Sequence, residues 1–323
     1  MVKAIEVFSR HFPVIGKNGQ KRLLKSKVVV VGAGALGSWE TYFLRKLGVG
    51  KITVIDRDFV EELDIPRTIY EKEHIGRPKA EVLSEILDVE GIVEDLNPST
   101  VDLLEDADVI LDGTDNVYTR HVINDYCVKT NKPWVYVGVL ATYGNVMPII
   151  PGETACYRCL FPEMPKRPLP TCAVAGIMSY VPTLAASIAV SMVSKILLGE
   201  KIEGSMIYFD ARTFEFEKIN ISRKDDCGAC VKRDFIFLEK RTRVERMCDG
   251  AYHIIPSGRM NIDLDEFEKS IKALGVTYYR ASQFVRFSDG DYEVSVFSSG
   301  RVIIRGAKDD KEAKSIYARY IGI

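Results

Sequence analysis

The stretch from Lys27 to Gly37, KVVVVGAGALG, constrains the fold of this chain more than any other. Val28 to Val31 make the uninterrupted apolar run that a strand buried on both faces requires, and the run stops at a glycine. Gly32, Gly34 and Gly37 then spell GxGxxG, and Leu36, Tyr42, Phe43, Leu44 and Leu47 follow in a helical pattern. Strand, tight turn and helix in that order let the backbone approach an anion closely. The unpaired N–H groups and the positive end of the helix dipole favour phosphate there. Dehydrogenases, flavoenzymes and adenylating enzymes share the motif, so it points to a nucleotide without saying which; the alternative is a glycine turn of purely structural purpose.

With 323 residues the chain has room for one large domain and a smaller one. Its 44 Lys+Arg against 45 Asp+Glu give a net charge of −1, which argues against a nucleic-acid-binding stripe or a polybasic membrane segment. The N-terminal residues hold no signal-peptide core, so a cytoplasmic setting is expected. Ala173 to Leu198 is nearly free of charge and long enough to cross a bilayer. Pro182, Lys195 and several hydroxyl side chains oppose that reading. Ala175, Gly176, Ala185, Ala186 and Ala189 suit close packing in a core or a dimer interface instead.

Residues 1–26 read as a short arm or helix carrying Arg10, by itself a solvated arginine. Lys51 to Ile55 reads as a second strand ending at Asp56, about 20 residues beyond the glycines, where a ribose-binding carboxylate belongs. A plain polar strand end is the alternative. Asp58 points to the same side of an extended chain. Arg67, Arg77 and Lys79 gather just before a helix opening near Pro78. A lysine in a first helical turn opposes the dipole unless an anion is near, which makes Lys79 a candidate ligand for one. Ala107 to Leu111 reads as another buried strand running into Asp112-Gly113-Thr114-Asp115-Asn116. Asp115 there suits Mg2+ or a hydroxyl; Asp115 or Asn116 as the cap of the next helix is the alternative. Pro133 to Gly138 and Asn145 to Ile150 add strands. The alternation gives an α/β class with a doubly wound, mostly parallel, Rossmann-like sheet.

Cys156-Tyr157-Arg158-Cys159 and Cys227-Gly228-Ala229-Cys230 form two CxxC knuckles. Each clamps one edge of a tetrahedral Zn2+, and four thiolates leave no open position, as in a structural site. A redox dithiol is the alternative, but neither pair opens a helix after a strand. The knuckles enclose the apolar helix and two strands, Ser205 to Asp210 and Phe214 to Ile219, so the metal staples the end of the sheet domain to its middle. Phe161 to Thr171 carries four prolines and reads as an extended loop ending at Cys172, where the apolar helix is expected to begin. A thiol at a helix N-terminus is a candidate nucleophile; an inert small hydrophobe is the commoner identity of a lone cysteine. Cys127 looks like core and Cys248 is ambiguous.

Together these pieces resemble the ThiF/MoeB family and its relatives, the ubiquitin-activating enzymes. The matching residues are Ser9-Arg10-His11 with Gly19-Gln20, Gly32 to Gly37, Val54 to Asp58, Arg67, Gly76 to Ala80, Thr114-Asp115-Asn116, both CxxC pairs and Thr171-Cys172-Ala173. The resemblance implies that Asp56 holds the ribose of ATP, Arg67 and Lys79 its phosphates, and Asp115 the Mg2+. It further implies that Arg10 reaches in from the partner of a homodimer and that Cys172 stands at the family's reactive cysteine. The implied reaction is ATP-dependent adenylation of the C-terminal glycine carboxylate of a MoaD/ThiS-like, ubiquitin-like sulfur carrier protein. Thioester or persulfide chemistry at Cys172 would follow. Three cations and a magnesium carboxylate around a glycine turn suit a triphosphate. One departure stands out: the family reads Asn-Leu-Gln-Arg-Gln around the arginine, and here the residues are Asp64-Ile65-Pro66-Arg67-Thr68. No rhodanese-like segment follows, so sulfur is expected from another protein. Rival readings are adenylation of a small-molecule or tRNA-linked carboxylate and, more distantly, an NAD-dependent oxidoreductase.

The first domain is expected to span 1–231 and a small α+β module 232–323. In the module, Phe235 to Leu238, Tyr278 to Phe287, Tyr292 to Phe297 and Val302 to Ile304 read as strands, and Ile262 to Leu274 and Lys308 to Tyr320 as helices. It carries no motif of known chemistry, and binding a partner or subunit is its expected task.

Overall fold

The computed structural model describes residues 5–164, 175–239, 243–247, 250–256 and 260–321. The chain divides into two compact units, one of residues 1–97 and 101–238, the other of 98–100 and 239–323.

The first unit is built on an eight-stranded sheet: β1 (Lys27–Val31), β2 (Lys51–Ile55), β3 (Glu90–Ile92), β4 (Val109–Asp112), β5 (Trp134–Leu140), β6 (Tyr143–Ile149), β7 (Ser205–Asp210) and β8 (Glu215–Asn220), in the order 3-2-1-4-5-6-7-8. Strands β3 to β5 in that order pair in parallel, and β5 to β8 continue antiparallel. The valine run explains the layering. In β1, Val28 and Val30 join a cluster with Leu44, Leu83 and Ala185, while Val29 and Val31 join one with Ile123, Cys127 and Trp134 on the opposite face. Helices α1 (Phe12–Leu23), α2 (Gly37–Leu47), α3 (Lys79–Leu87), α4 (Val117–Thr130), α5 (Tyr157–Leu160) and α6 (Tyr180–Leu198) follow the chain. α2, α3 and α6 cover the first face, and α4 covers the second.

Among the described residues the apolar helix runs from Tyr180 to Leu198, and the expected start at Cys172 lies outside them. Just before it, Ile177 bridges Ala141: Ala141 N donates to Gly176 O at 3.0 Å and Met178 N to Ala141 O at 3.0 Å. α6 has the length and apolarity of a membrane span, but Val181, Ala185, Ala189 and Val193 are fully buried in the first cluster. Its alanines are the reason: small side chains let the helix lie close against its neighbours. Cys172, Cys248 and most of the proline-rich segment lie outside the described residues.

The second unit is an antiparallel sheet of β9 (Arg243–Arg246), β10 (Tyr252–Ile255), β11 (Tyr278–Arg280), β12 (Phe284–Asp289), β13 (Tyr292–Phe297) and β14 (Val302–Arg305), in the order 11-12-13-14-10-9. α7 (Leu264–Ala273) and α8 (Asp310–Ile321) pack on it through Leu264, Ile271, Ala313 and Ile316. Two readings are corrected, and two strands are added. The expected strand at 235–238 is a 3-10 turn, Ile236–Leu238, held against the first unit's core by buried Phe237. The expected strand from Tyr278 to Phe287 is two strands folded back on each other, because Ala281 N pairs with Phe284 O at 2.9 Å. β9 and β10 carry no alternation the sequence reading detected.

Candidate functional site

The carboxyl ends of β1 and β4 lie side by side where the strand order turns back, the place at which doubly wound sheets take ligands. Gly32 has φ +96°, and a Cβ there would lie 2.5 Å from the Gly113 carbonyl oxygen; a Cβ on Gly37 would lie 1.8 Å from the Gly32 carbonyl oxygen. No side chain fits at either position. Around Gly34 there is open space. The outer glycines therefore serve the protein's own packing, and the middle one leaves room for an approaching group.

Two side chains fix this turn. Asp56, at the end of β2, accepts from Ala33 N through Oδ2 and from Asp58 N through Oδ1, both at 2.6 Å. Buried Tyr70 donates to Ala33 O at 2.7 Å, and its hydroxyl oxygen lies 3.3 Å from the Lys79 carbonyl oxygen. One ring thus ties the glycine turn to the start of α3. Lys79 N in turn donates to Asp58 O at 2.9 Å. Burial, reinforced by the Asp58 charge, raises the Asp56 carboxyl to about 6, against the opposing pull of Lys79 and the two amides.

The cations arrive already paired. Asp64, whose side chain is 2 % exposed, accepts from Arg67 Nη2 at 3.0 Å through Oδ1, and through Oδ2 from Lys79 Nζ at 3.1 Å and from Glu61 N at 3.0 Å. Arg67 is held further by Trp39 Nε1, which donates to its carbonyl at 3.2 Å. Burial works against the Lys79 charge, yet Asp56, Asp64 and Asp58 outweigh it and keep the ammonium above its ordinary value. An anion does stand beside the lysine in the first turn of α3, and it is a carboxylate of the chain itself.

Gly32, Gly34, Gly37, Asp56, Asp58, Arg67 and Lys79 are therefore brought together. Asp115 is exposed, two residues beyond Gly113. Asn116 is the cap of α4, its Oδ1 accepting from Thr119 N at 2.8 Å, so the capping alternative holds for that residue. Arg10 is exposed on a 3-10 turn, Ser9–His11. The sequence reading missed Tyr70 and Trp39, whose contacts lie 37 and 28 residues away along the chain and leave no local spacing to detect.

The four knuckle cysteines form a separate centre on the second face of the sheet. Their sulfurs lie within 4.8 Å of one another, with Cys156–Cys159, Cys156–Cys227 and Cys159–Cys230 at 3.8, 3.6 and 3.5 Å. A tetrahedral zinc with Zn–S bonds of about 2.3 Å requires sulfurs about 3.8 Å apart, so the donor set fits it. α4 supports both knuckles. Asn124 Oδ1 accepts from Tyr157 N at 2.8 Å, and Asp125 accepts from Arg158 Nη1 at 3.2 Å and from Phe237 N at 3.2 Å. His121 stacks on Phe237 at 4.2 Å, and burial, with the Arg158 charge, lowers it to about 4, so it packs as a neutral ring.

Comparison with known proteins agrees with this arrangement. The ThiF family model matches residues 8–229. The chain is 31% identical over 327 residues to the sulfur carrier protein ThiS adenylyltransferase of Bacillus subtilis, covering 96% of this chain and 97% of that protein. It is 34% identical over 240 residues to the SAMP-activating enzyme E1 of Haloferax volcanii, covering 70% and 88%. Among solved structures, E. coli MccB with MccA-N7isoASN superposes with a TM-score of 0.62 at 22% identity, over 69% of this chain and 73% of that one, a likeness of fold.

Two outcomes follow from the geometry. Gly37→Ala should cost more than about 2 kcal/mol in denaturant unfolding, because backbone must move, while Gly34→Ala should stay within about 1 kcal/mol and weaken nucleotide binding instead. Equal destabilisation by the two would contradict the division of roles among the glycines. The purified chain should hold one zinc ion by atomic absorption, and Cys227→Ser should lose it together with several kcal/mol of stability. A metal-free chain as stable as the loaded one would argue against a structural centre.

Proposed function

The chain belongs to the ThiF family, and from that premise we propose that it is an ATP-dependent adenylyltransferase for the C-terminal glycine carboxylate of a ubiquitin-like sulfur carrier protein. The observation that carries this reading is the match along nearly the whole chain to the ThiS adenylyltransferase, with the glycine turn, Asp56, Arg67 and Lys79 gathered at the switch point of the sheet. The carrier's carboxylate attacks the α-phosphorus of ATP, the bond to the pyrophosphate oxygen breaks, and an acyl-adenylate remains.

The protein contributes position and charge. Asp56, with Asp58 beside it, would accept from the ribose hydroxyls, and Asn116 would border the same crevice. Arg67 and Lys79 would take the phosphates, joined by Arg10 from a second copy in a homodimer. Asp115 would hold Mg2+, which neutralises charge on the departing pyrophosphate. Zn2+ would sit in the closed four-thiolate centre and supply rigidity, a task compatible with a reducing cytoplasm. Cys172 would act after adenylation, as the acceptor of a thioester or persulfide. The α+β module would bind a partner or subunit.

Radiolabelled pyrophosphate should exchange into ATP only when a carrier ending in glycine is present, and Cys172→Ala should retain that exchange. Exchange lost in this variant would overturn the separation of adenylation from thiol chemistry. The raised Asp56 also fixes a pH dependence. Its folded carboxyl binds a proton more readily than an unfolded one, so its contribution to stability is present at low pH and lost as pH rises through about 6. ATP binding runs the other way, since ribose hydroxyls donate to the ionised form. Affinity measured by calorimetry should fall as pH drops through about 6, and Asp56→Asn should flatten the profile.

A further inference from the structure

The Asp64 carboxylate works against the ligand proposed for the nucleotide site. It is almost completely buried, bonds both cations assigned to the phosphates, and is fixed on its turn by the Glu61 amide. Asp56 and Asp58 also act on Lys79, Asp58 being shared with Arg57 Nε at 3.7 Å. Arg67 Nε, also buried, has no acceptor, and the guanidinium is thus incompletely satisfied by Asp64. A carboxylate carries its charge on oxygens spaced to accept from two neighbouring donors, as a phosphate does.

From this geometry we infer that Asp64 is an internal stand-in for a nucleotide phosphate: it holds Arg67 and Lys79 in position in the empty site and surrenders Lys79 to the triphosphate when ATP binds. Asp64 is then a positioning residue that lowers the affinity for ATP while keeping its two cations ordered. No bond is made or broken; one ion pair replaces another. An amide, as in Asn, would orient the same turn without competing, because it caps Glu61 N and carries no charge. The inference rests on the proposed adenylation site, and the test separates the two.

Zinc-loaded protein with Asp64→Asn, and with Asp64→Ser as a second uncharged capping residue, is titrated with ATP and with adenosine in the presence of Mg2+. Kd for ATP should fall roughly three- to tenfold, the effect of removing one partly buried charge contact, while adenosine binding stays constant. In steady state KM for ATP should fall and KM for the carrier should not. Unchanged or weaker ATP binding in a folded variant overturns the inference and leaves the function standing. Wild-type protein that binds no ATP overturns both. The wild-type complex with ATP gives a reading that needs no variant: Lys79 Nζ should leave Asp64, and a separation still within about 4 Å overturns the inference equally.

Discussion

The structure depends on one close approach of backbone to backbone, where Gly32 and Gly37 at the end of β1 meet Gly113 at the end of β4. A single added carbon at any of these positions would collide with main-chain atoms, and main chain has nowhere to go inside a parallel sheet. The contact lets β1 and β4 sit as neighbours while their helices depart to opposite faces, α2 to one and α4 to the other. The crevice between those departures is the site. Asp56 and Tyr70 then bind the amide and carbonyl of buried Ala33, so the turn is fixed from both sides before any ligand arrives.

Much of this was legible in the sequence because it is local. The valine run, the glycines, Asp56 and Lys79 each carry their meaning within a few residues, through strand alternation, turn sterics and helix polarity. The CxxC pairs are legible for a different reason: two thiolates at that spacing have few other uses in a reduced chain. What escaped was long-range. Nothing near Tyr70 announces that its hydroxyl reaches Ala33, and nothing near Trp39 points to the Arg67 carbonyl. The pairing of Met178 with Ala141 is likewise made by the fold and absent from the local pattern. The short β9 and β10 escaped because their partners are each other and β14.

The metal centre rests on the same sheet from the other face. Between Cys159 and Cys227 the chain forms α6, β7 and β8, so the knuckles close a long excursion. Asn124 and Asp125, adjacent on α4, reach the first knuckle through Tyr157 and Arg158 and the chain after the second through Phe237. α4 is also the helix that Asn116 caps and that starts immediately beyond Asp115. One helix therefore spans from the rim of the nucleotide crevice to the cysteine cluster.

The charge around the crevice sets what assembly must supply. Arg67 and Lys79 face Asp56, Asp58 and Asp64, and only Asp58 is open enough to water for its charge to be strongly screened. In a single chain both cations are thus already paired, and the cationic surplus that the scattered basic residues suggest when read without their partners is largely offset. In the proposed function the missing positive charge comes with Mg2+ and with Arg10 of a second copy, neither of which is fixed in the isolated chain. Nucleotide affinity would then be low until both are present. A site balanced in this way responds to its surroundings, because each added cation shifts the competition between Asp64 and the phosphates for the same lysine.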